Sequence, residues 1–379
     1  MNPPPKIKVL IVNRAQYGYH VDPYKYSVYL KKDFNITHLS WDYGLPRIHQ
    51  EGIEIKYISR NGNSLQRYVR FLTAVHKEIR NHPYDLIFMV YFVGCSIIRW
   101  LNTSRTFIVD IRTATVDDSP LQNRLKDILL VNECKGFEHI SIVSENLARK
   151  IGLKDAHILP LGGECFSTEN SKKDGLYLLY VGTLENRNMM TFIKGFHQFY
   201  LGSLGENINR PLHLTIVGNG PGDELKEIMA YIQKNNLQQV ISTEGYVQND
   251  LLQPYFEKSN IGVSYVPITH YFQNQPPTKT YEYLLSGLSV LATATHENAK
   301  VINEKNGVLI QDKTADVVSG LQLLVQRMEK YQPEKIRKQM SGHLWEKIAQ
   351  ENLRPYLMGL AQPREKNLSR SNRGHFVKM

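Results

Sequence analysis

The chain has 379 residues, 42% of them hydrophobic, with a mean hydropathy of −0.36 and a net charge of +10. That length suits two domains with separate cores, and the longest apolar run, 86–98, is too short for a bilayer-spanning helix of about 20 residues. Three scattered cysteines (Cys95, Cys134, Cys165) lack metal-ligand spacing, which points to a reducing cytoplasm and away from a structural zinc.

The charge is uneven. Residues 1–165 carry 22 Lys/Arg against 16 Asp/Glu, residues 166–362 carry 19 of each, and residues 363–379 carry five against one. The first half and the tail therefore favour anionic surroundings. The tail is polar and basic and is expected to be disordered. Residues 1–6 run straight into an apolar strand, so no secretory leader is expected.

In chain order, the first half predicts strands at 8–12, 36–41, 53–58, 86–91, 106–111 and 139–143, with helices at 26–32, 65–80, 95–101 and 121–135. The second half repeats the alternation. Strands are expected at 176–181, 212–217, 240–243, 261–265, 290–293 and 307–310, and helices at 189–201, 223–235, 251–258, 278–286, 297–303 and 315–331. Between the halves, Leu-Pro-Leu-Gly-Gly and a polar run read as a linker at 160–174. Alternating strands and helices imply an α/β protein with two Rossmann-like, doubly wound parallel-sheet domains facing a crevice. The expected units are 1–165, 166–345, a helix at 346–362 that packs back on the first domain, and the tail 363–379.

The most informative stretch is Pro276-Pro277-Thr278-Lys279-Thr280-Tyr281-Glu282-Tyr283-Leu284-Leu285-Ser286-Gly287, which leads into an apolar strand. The prolines cannot continue a preceding helix, Thr278 suits an N-cap, and Gly287 suits the position past the helix end. Lys279 in the first turn opposes the helix dipole, so an anion is expected there. Glu282, one turn on, can accept hydrogen bonds from sugar hydroxyls. Arg187 follows the strand-end Gly182-Thr183 and can clamp a diphosphate or simply lie on the surface. The strand-end Gly218-Asn219-Gly220-Pro221-Gly222 does not fit GxGxxG, and reads as a tight turn. Gly245-Tyr246-Val247 forms another strand-end loop able to approach a base.

In the first half, Asp110 and Arg112 end a strand, where they either position an acceptor hydroxyl or form a structural ion pair. The loop holding Tyr17, Gly18 and Asp22 is rich in tyrosine. It suits a carbohydrate acceptor, or is an ordinary loop in a tyrosine-rich chain. Residues 65–80 form a basic amphipathic pattern that either rests on an anionic membrane surface or is a solvated face over a core-packed helix.

The ordered series Gly-Thr-Leu…Arg-Asn, Ile-Val-Gly-Asn-Gly-Pro, Glu-Gly-Tyr-Val, Pro-Thr-Lys-Thr-Tyr-Glu and Asn-Gly-Val-Leu-Ile closely resembles the donor-binding domain of family 4 (group 1) glycosyltransferases of the GT-B fold. The resemblance covers about 176–330, and is looser in the first half at Val143-Ser144-Glu145-Asn146-Leu147. It implies that Glu282 holds the ribose, that Arg187 neutralises the diphosphate, and that Pro277, Thr278 and Lys279 present the helix end to the same phosphates. Arg187, Lys279 and Asp110 are the expected catalytic set. Gly182, Thr183, Gly218, Gly245, Tyr246, Val247 and Asn274 complete the donor site, and Tyr17, Gly18, Asp22 and Arg112 the acceptor side. The chain departs from the family at Asn274, where a glutamate usually meets the transferred sugar, and at Thr183, where an arginine is common.

The implied activity is transfer from a UDP- or GDP-linked sugar to a hydroxyl of a glycan or lipid-linked glycan, with retention and no metal or cofactor. The implied setting is cell-surface polysaccharide or glycolipid synthesis, in the cytoplasm or at the inner face of the membrane. The competing reading is a non-catalytic GT-B-like subunit that binds glycan or stabilises a partner. An NAD-dependent oxidoreductase lacks its fingerprint in the first βα turn, and nucleic-acid binding lacks interleaved Arg/aromatic motifs.

Overall fold

A computed structural model gives residues 6–113, 120–169, 173–205 and 210–361. The expected tail 363–379 and linker positions 170–172 lie outside the described residues. The first sheet is built from β1 (Ile7–Asn13), β2 (Phe34–Asp42), β3 (Ile53–Ser59), β4 (Leu86–Val90), β5 (Thr106–Ile111), β6 (His139–Ile142) and β7 (His157–Ile158). Its order is β3-β2-β1-β4-β5-β6-β7, every pairing parallel. Helices α1 (Val21–Leu30), α2 (Ser64–Asn81), α3 (Cys95–Leu101), α4 (Pro120–Cys134) and α5 (Glu145–Ile151) connect the strands.

The second sheet runs β10-β9-β8-β11-β12-β13, again all parallel. Its strands are β8 (Leu176–Val181), β9 (Leu212–Val217), β10 (Ile241–Gly245), β11 (Ile261–Ser264), β12 (Ser289–Thr293) and β13 (Gly307–Ile310). They alternate with α6 (Met189–Gly205), α7 (Glu224–Lys234), α8 (Gln253–Lys258), α9 (Thr278–Leu285), α10 (Asn298–Val301) and α11 (Thr314–Arg327). Runs such as Leu86–Val90 are apolar at every position because helices cover both faces of a parallel sheet. In each sheet the strand order reverses between two neighbours, β1/β4 and β8/β11. Ligands of such sheets bind beyond the carboxyl ends of the strands at that point.

After α12 (Pro333–Met340) the chain returns to the first domain. There α13 (Trp345–Lys347), a π turn (Ile348–Leu353) and α14 (Arg354–Ala361) lie against α1 and β4. Trp345 meets Tyr26 edge-on at 6.0 Å, Arg354 pairs with Asp33, and Gln350 donates to the Tyr29 carbonyl. The outward crossing at Gly163 and the return at His343–Trp345 are bonded to each other, Gly163 N–H to the His343 carbonyl and Trp345 N–H to the Gly163 carbonyl.

The elements α5, β7 and α12 were not expected from the sequence pattern. The basic pattern at 65–80 is α2, capped by a reciprocal Asn63–Gln66 box. Phe71, Val75 and Ile79 of that helix are buried in the first core, so most of its apolar face is already covered.

Candidate active site

Three consecutive strand ends of the second sheet lie side by side as glycines. Gly182 after β8 has φ +140 and Gly218 after β9 has φ +152. A Cβ on Gly218 would sit 1.8 Å from the Gly182 carbonyl oxygen, and Gly218 N–H donates to the Gly245 carbonyl at 2.6 Å. Side chains are therefore excluded where the sheet edge opens to the crevice.

Helix α9 faces this edge. It follows β11, on the other side of the strand reversal. Its Tyr283 ring lies on Gly262 of β11, where any Cβ would come 2.2 Å from the ring, and the Tyr283 hydroxyl accepts from Val181 N–H at 2.8 Å. The helix ends in a Schellman motif, with Gly287 at φ +79 and Leu288 N–H bonded to the Tyr283 carbonyl. The expected N-cap moves by one residue: Pro277, extended at φ −81, ψ 121, precedes the first helical residue, and Thr278 makes no side-chain cap. Proline has no side-chain acceptor, so no side chain at the N-cap covers the first N–H groups of α9.

Lys279 points from the first turn of α9 across to the Gly182 edge. Its Nζ lies 3.8 Å from the centre of the Tyr180 ring and would be 3.0 Å from a Cβ on Gly182. The ammonium is buried without a hydrogen-bond partner. Burial, with the like charge of Arg187, holds its pKa well below the usual lysine range despite the opposing pull of Glu282. Arg187 sits between two left-handed asparagines, Asn186 (φ 54) and Asn188 (φ 51). Its guanidinium stacks 4.6 Å from Phe272 and spends one hydrogen bond on the Glu185 carbonyl. Two cations thus meet at the sheet edge with little to neutralise them.

Glu282 is half-buried beside the linker, where a Cβ on Gly163 would come 3.2 Å from its backbone nitrogen. Burial, then the neighbouring Glu164, pushes its carboxyl up to about 8 against Lys279 and Lys25. The folded carboxyl holds its proton to about pH 8 and the unfolded one only to its ordinary value of 4.5, so the stability this provides is full below about 4.5 and is lost as pH rises through about 8. The melting temperature of the unliganded protein, measured relative to Glu282→Gln, should therefore fall between about pH 5 and pH 8. A flat difference across that window would contradict the assignment.

Thr183 is exposed and its side chain accepts from Glu185 N–H. Tyr246 is 73% exposed after Gly245, and Val247 is half-buried. A cleft of about 1030 Å³ opens there, with Gly18, Tyr24 and Lys25 on the first-domain wall and Tyr246 and Asn249 opposite. Glu164 in this cleft joins both walls, pairing with Lys25 and accepting from Asn249 Nδ2 at 2.7 Å. Sequence reasoning missed Lys25, Glu164 and Asn249; the only signal was a charged residue directly after the linker's Gly-Gly. Asn274 Oδ1 lies 3.1 Å from His296 Nδ1, a partner that was also unforeseen.

The first-domain residues require corrections. Tyr17 is wholly buried, edge-on to Tyr24 at 5.3 Å and to His38 at 4.8 Å, and forms part of the core rather than the cleft wall. Gly18, its neighbour, does line the cleft. Asp110 is 0% exposed and accepts from Ser141 Oγ at 2.7 Å. Arg112 is buried with it, bonded to Asp22 and to the Leu159 carbonyl, its Nε 3.8 Å from Asp110. Of the two readings open in the sequence, this geometry is the structural ion pair, extended to a triad by Asp22. Burial pushes Asp110 up to about 6 even against Arg112. No group of three metal-ligating side chains occurs among the described residues.

Residues 175–327 match the family described as glycosyl transferases group 1. No curated protein matches the chain. Among solved structures, sucrose-phosphate synthase from Thermosynechococcus elongatus superposes with a TM-score of 0.75 at 15% identity, over 94% of this chain and 100% of that one. HepE of Anabaena, in complex with UDP and glucose, gives 0.73 at 13% identity over 93% and 100%. The lipopolysaccharide outer core galactosyltransferase WaaB gives 0.65 at 13% identity over 93% and 99%. These likenesses establish the two-sheet GT-B fold. Residues 175–327 form a group 1 glycosyltransferase domain on that fold.

Proposed function

We propose that the protein binds a UDP-linked sugar against the glycine edge of the second sheet and passes the sugar to a hydroxyl of a glycan or glycolipid acceptor in the cleft. The observation that carries this reading is the buried, unpartnered Lys279 ammonium at the start of α9, beside Arg187. A diphosphate supplies the missing counter-charge, and as the sugar–phosphate bond breaks the same cations take up the charge on the departing phosphate. The α9 N-terminus adds its dipole. These groups supply leaving-group stabilisation without a metal, and transfer proceeds with retention at the anomeric carbon. Glu282 takes the ribose hydroxyls, and the Gly245–Val247 loop takes the base. Asn274, steadied by His296, presents an amide to the sugar. UDP is preferred over GDP on the strength of the UDP and glucose held by HepE. The resemblance to a lipopolysaccharide galactosyltransferase supports a role in cell-surface glycan synthesis.

Thermal unfolding against UDP, GDP, ADP, CMP and NAD tests the reading. UDP at 100 times its dissociation constant should stabilise the protein by about 2.7 kcal/mol, and Glu282→Ala should weaken the shift. Stabilisation by NAD alone, or by none of the five, would remove the proposed donor site.

A further inference from the structure

Eighteen large apolar side chains are exposed among the described residues, and ten of them fall on α2, α3, α4 and the turn before α3. They follow helical spacing. On α3 they are Ile97, Trp100 and Leu101, and on α4 Leu121, Leu125 and Ile128 form a second stripe. The first turns of α2 add a third. Helix α3 packs between α2 and α4, tied to one by the Tyr68 hydroxyl on the Val93 carbonyl and to the other by the Glu133 carboxylate, which accepts from Gly94 N–H and Ser96 Oγ. The stripes therefore form one surface. Trp100 is 75% exposed at its centre.

The charge on these three helices has one sign in excess. They carry seven Lys/Arg and three Asp/Glu; Glu78 pairs with Lys56, and Glu133 is bonded to the start of α3. Arg124 and Arg70 are exposed beside the apolar stripes, Arg70 donating from one nitrogen to the Ser59 and Asn61 carbonyls, and Arg99 lies over the Phe107 ring. An exposed apolar surface of this extent marks a contact surface. A tryptophan flanked by arginines matches the boundary of a bilayer, where the ring sits among headgroups and the guanidinium groups meet lipid phosphates. Each helix follows a strand of the first sheet and so starts at that sheet's carboxyl edge, the edge at which ligands of such sheets bind.

We infer that the α3–α4 face, extended by the start of α2, docks the enzyme on an anionic lipid bilayer and brings the cleft to the membrane surface. The docking stands on its own observations; that it delivers a lipid-linked acceptor rests on the transferase reading. It also relocates the lipid contact, since the apolar face of α2 lies largely in the core.

The test is sedimentation of the full chain with phosphatidylcholine vesicles, with and without phosphatidylglycerol, alongside tryptophan fluorescence. Trp41 and Trp345 are buried, so a blue shift on binding reports Trp100. Binding should need the anionic lipid and weaken with salt. The pair Trp100→Ser with Leu125→Ser should lower partitioning about tenfold or more, whereas Met229→Ser on the second domain should leave it unchanged. The melting temperature without ligand, measured on the same variants, should be retained and shows that they are folded. No binding to either vesicle, or binding indifferent to the Trp100 and Leu125 changes, would overturn the proposal. So would a blue shift that grows with protein concentration in the absence of lipid, because that outcome assigns the face to a second copy of the chain.

Discussion

Replacing Lys279 by methionine is expected to raise the melting temperature of the unliganded protein while lowering sugar transfer by about 10²- to 10³-fold. The two effects share one cause. Methionine keeps most of the length as an apolar chain beside the Tyr180 ring but removes an ammonium that is buried without a hydrogen-bond partner. Leaving such a group unpaired costs about 1–3 kcal/mol, so its removal should gain several degrees in melting temperature. In the donor complex the balance reverses, because the same charge then faces a diphosphate whose negative charge grows as the sugar leaves. A variant with lower stability and intact transfer would place Lys279 in the scaffold. A variant that gains stability but loses turnover is the signature of a charge kept for its ligand.

The second large effect concerns the triad of Asp22, Asp110 and Arg112. Arg112→Ala leaves two carboxylates buried without their shared cation, a change that costs about 3–5 kcal/mol. The first domain should then melt roughly 10 °C lower. If Arg112 instead gripped the acceptor, the variant would melt normally and show a raised KM for acceptor. Melting curves and acceptor kinetics on one preparation separate the two roles.

The arrangement at the edge of the second sheet was legible in the sequence because it is built from local features. Gly182 and Gly218 mark strand ends, Pro277 and Gly287 bracket one short helix, and Lys279 and Glu282 share that helix's face. Each inference needs only neighbours within a dozen residues. The first-domain assignments depended on contacts far apart in the chain. Tyr17 sits in a polar loop, yet its ring is buried against Tyr24 and, across the sheet, His38. The sequence leaves Arg112 between an acceptor role and an ion pair, and it is Asp22, 90 residues earlier, that draws it into the interior. Glu164 gained meaning only once the fold placed Lys25 and Asn249 on either side of it. Periodicity located α3 and α4 correctly but could not tell which apolar stripe faces the core and which faces outward, since both repeat at the same interval.

The return of α13 and α14 to the first domain has a consequence for how the protein is made. Tyr26, Leu30, Phe34 and Phe88 near the start of the chain are roofed by Leu353 and Leu357 near residue 360. Ribosomes add about 5–20 residues per second, so the first sheet, complete at Ile158, waits roughly 10 to 40 s for its cover. During that interval the second domain, whose strands and helices lie between 176 and 340, can finish folding. The half translated first is thus the half completed last, and a ribosome that stalls before Trp345 releases a chain with a finished second domain and an uncovered first domain.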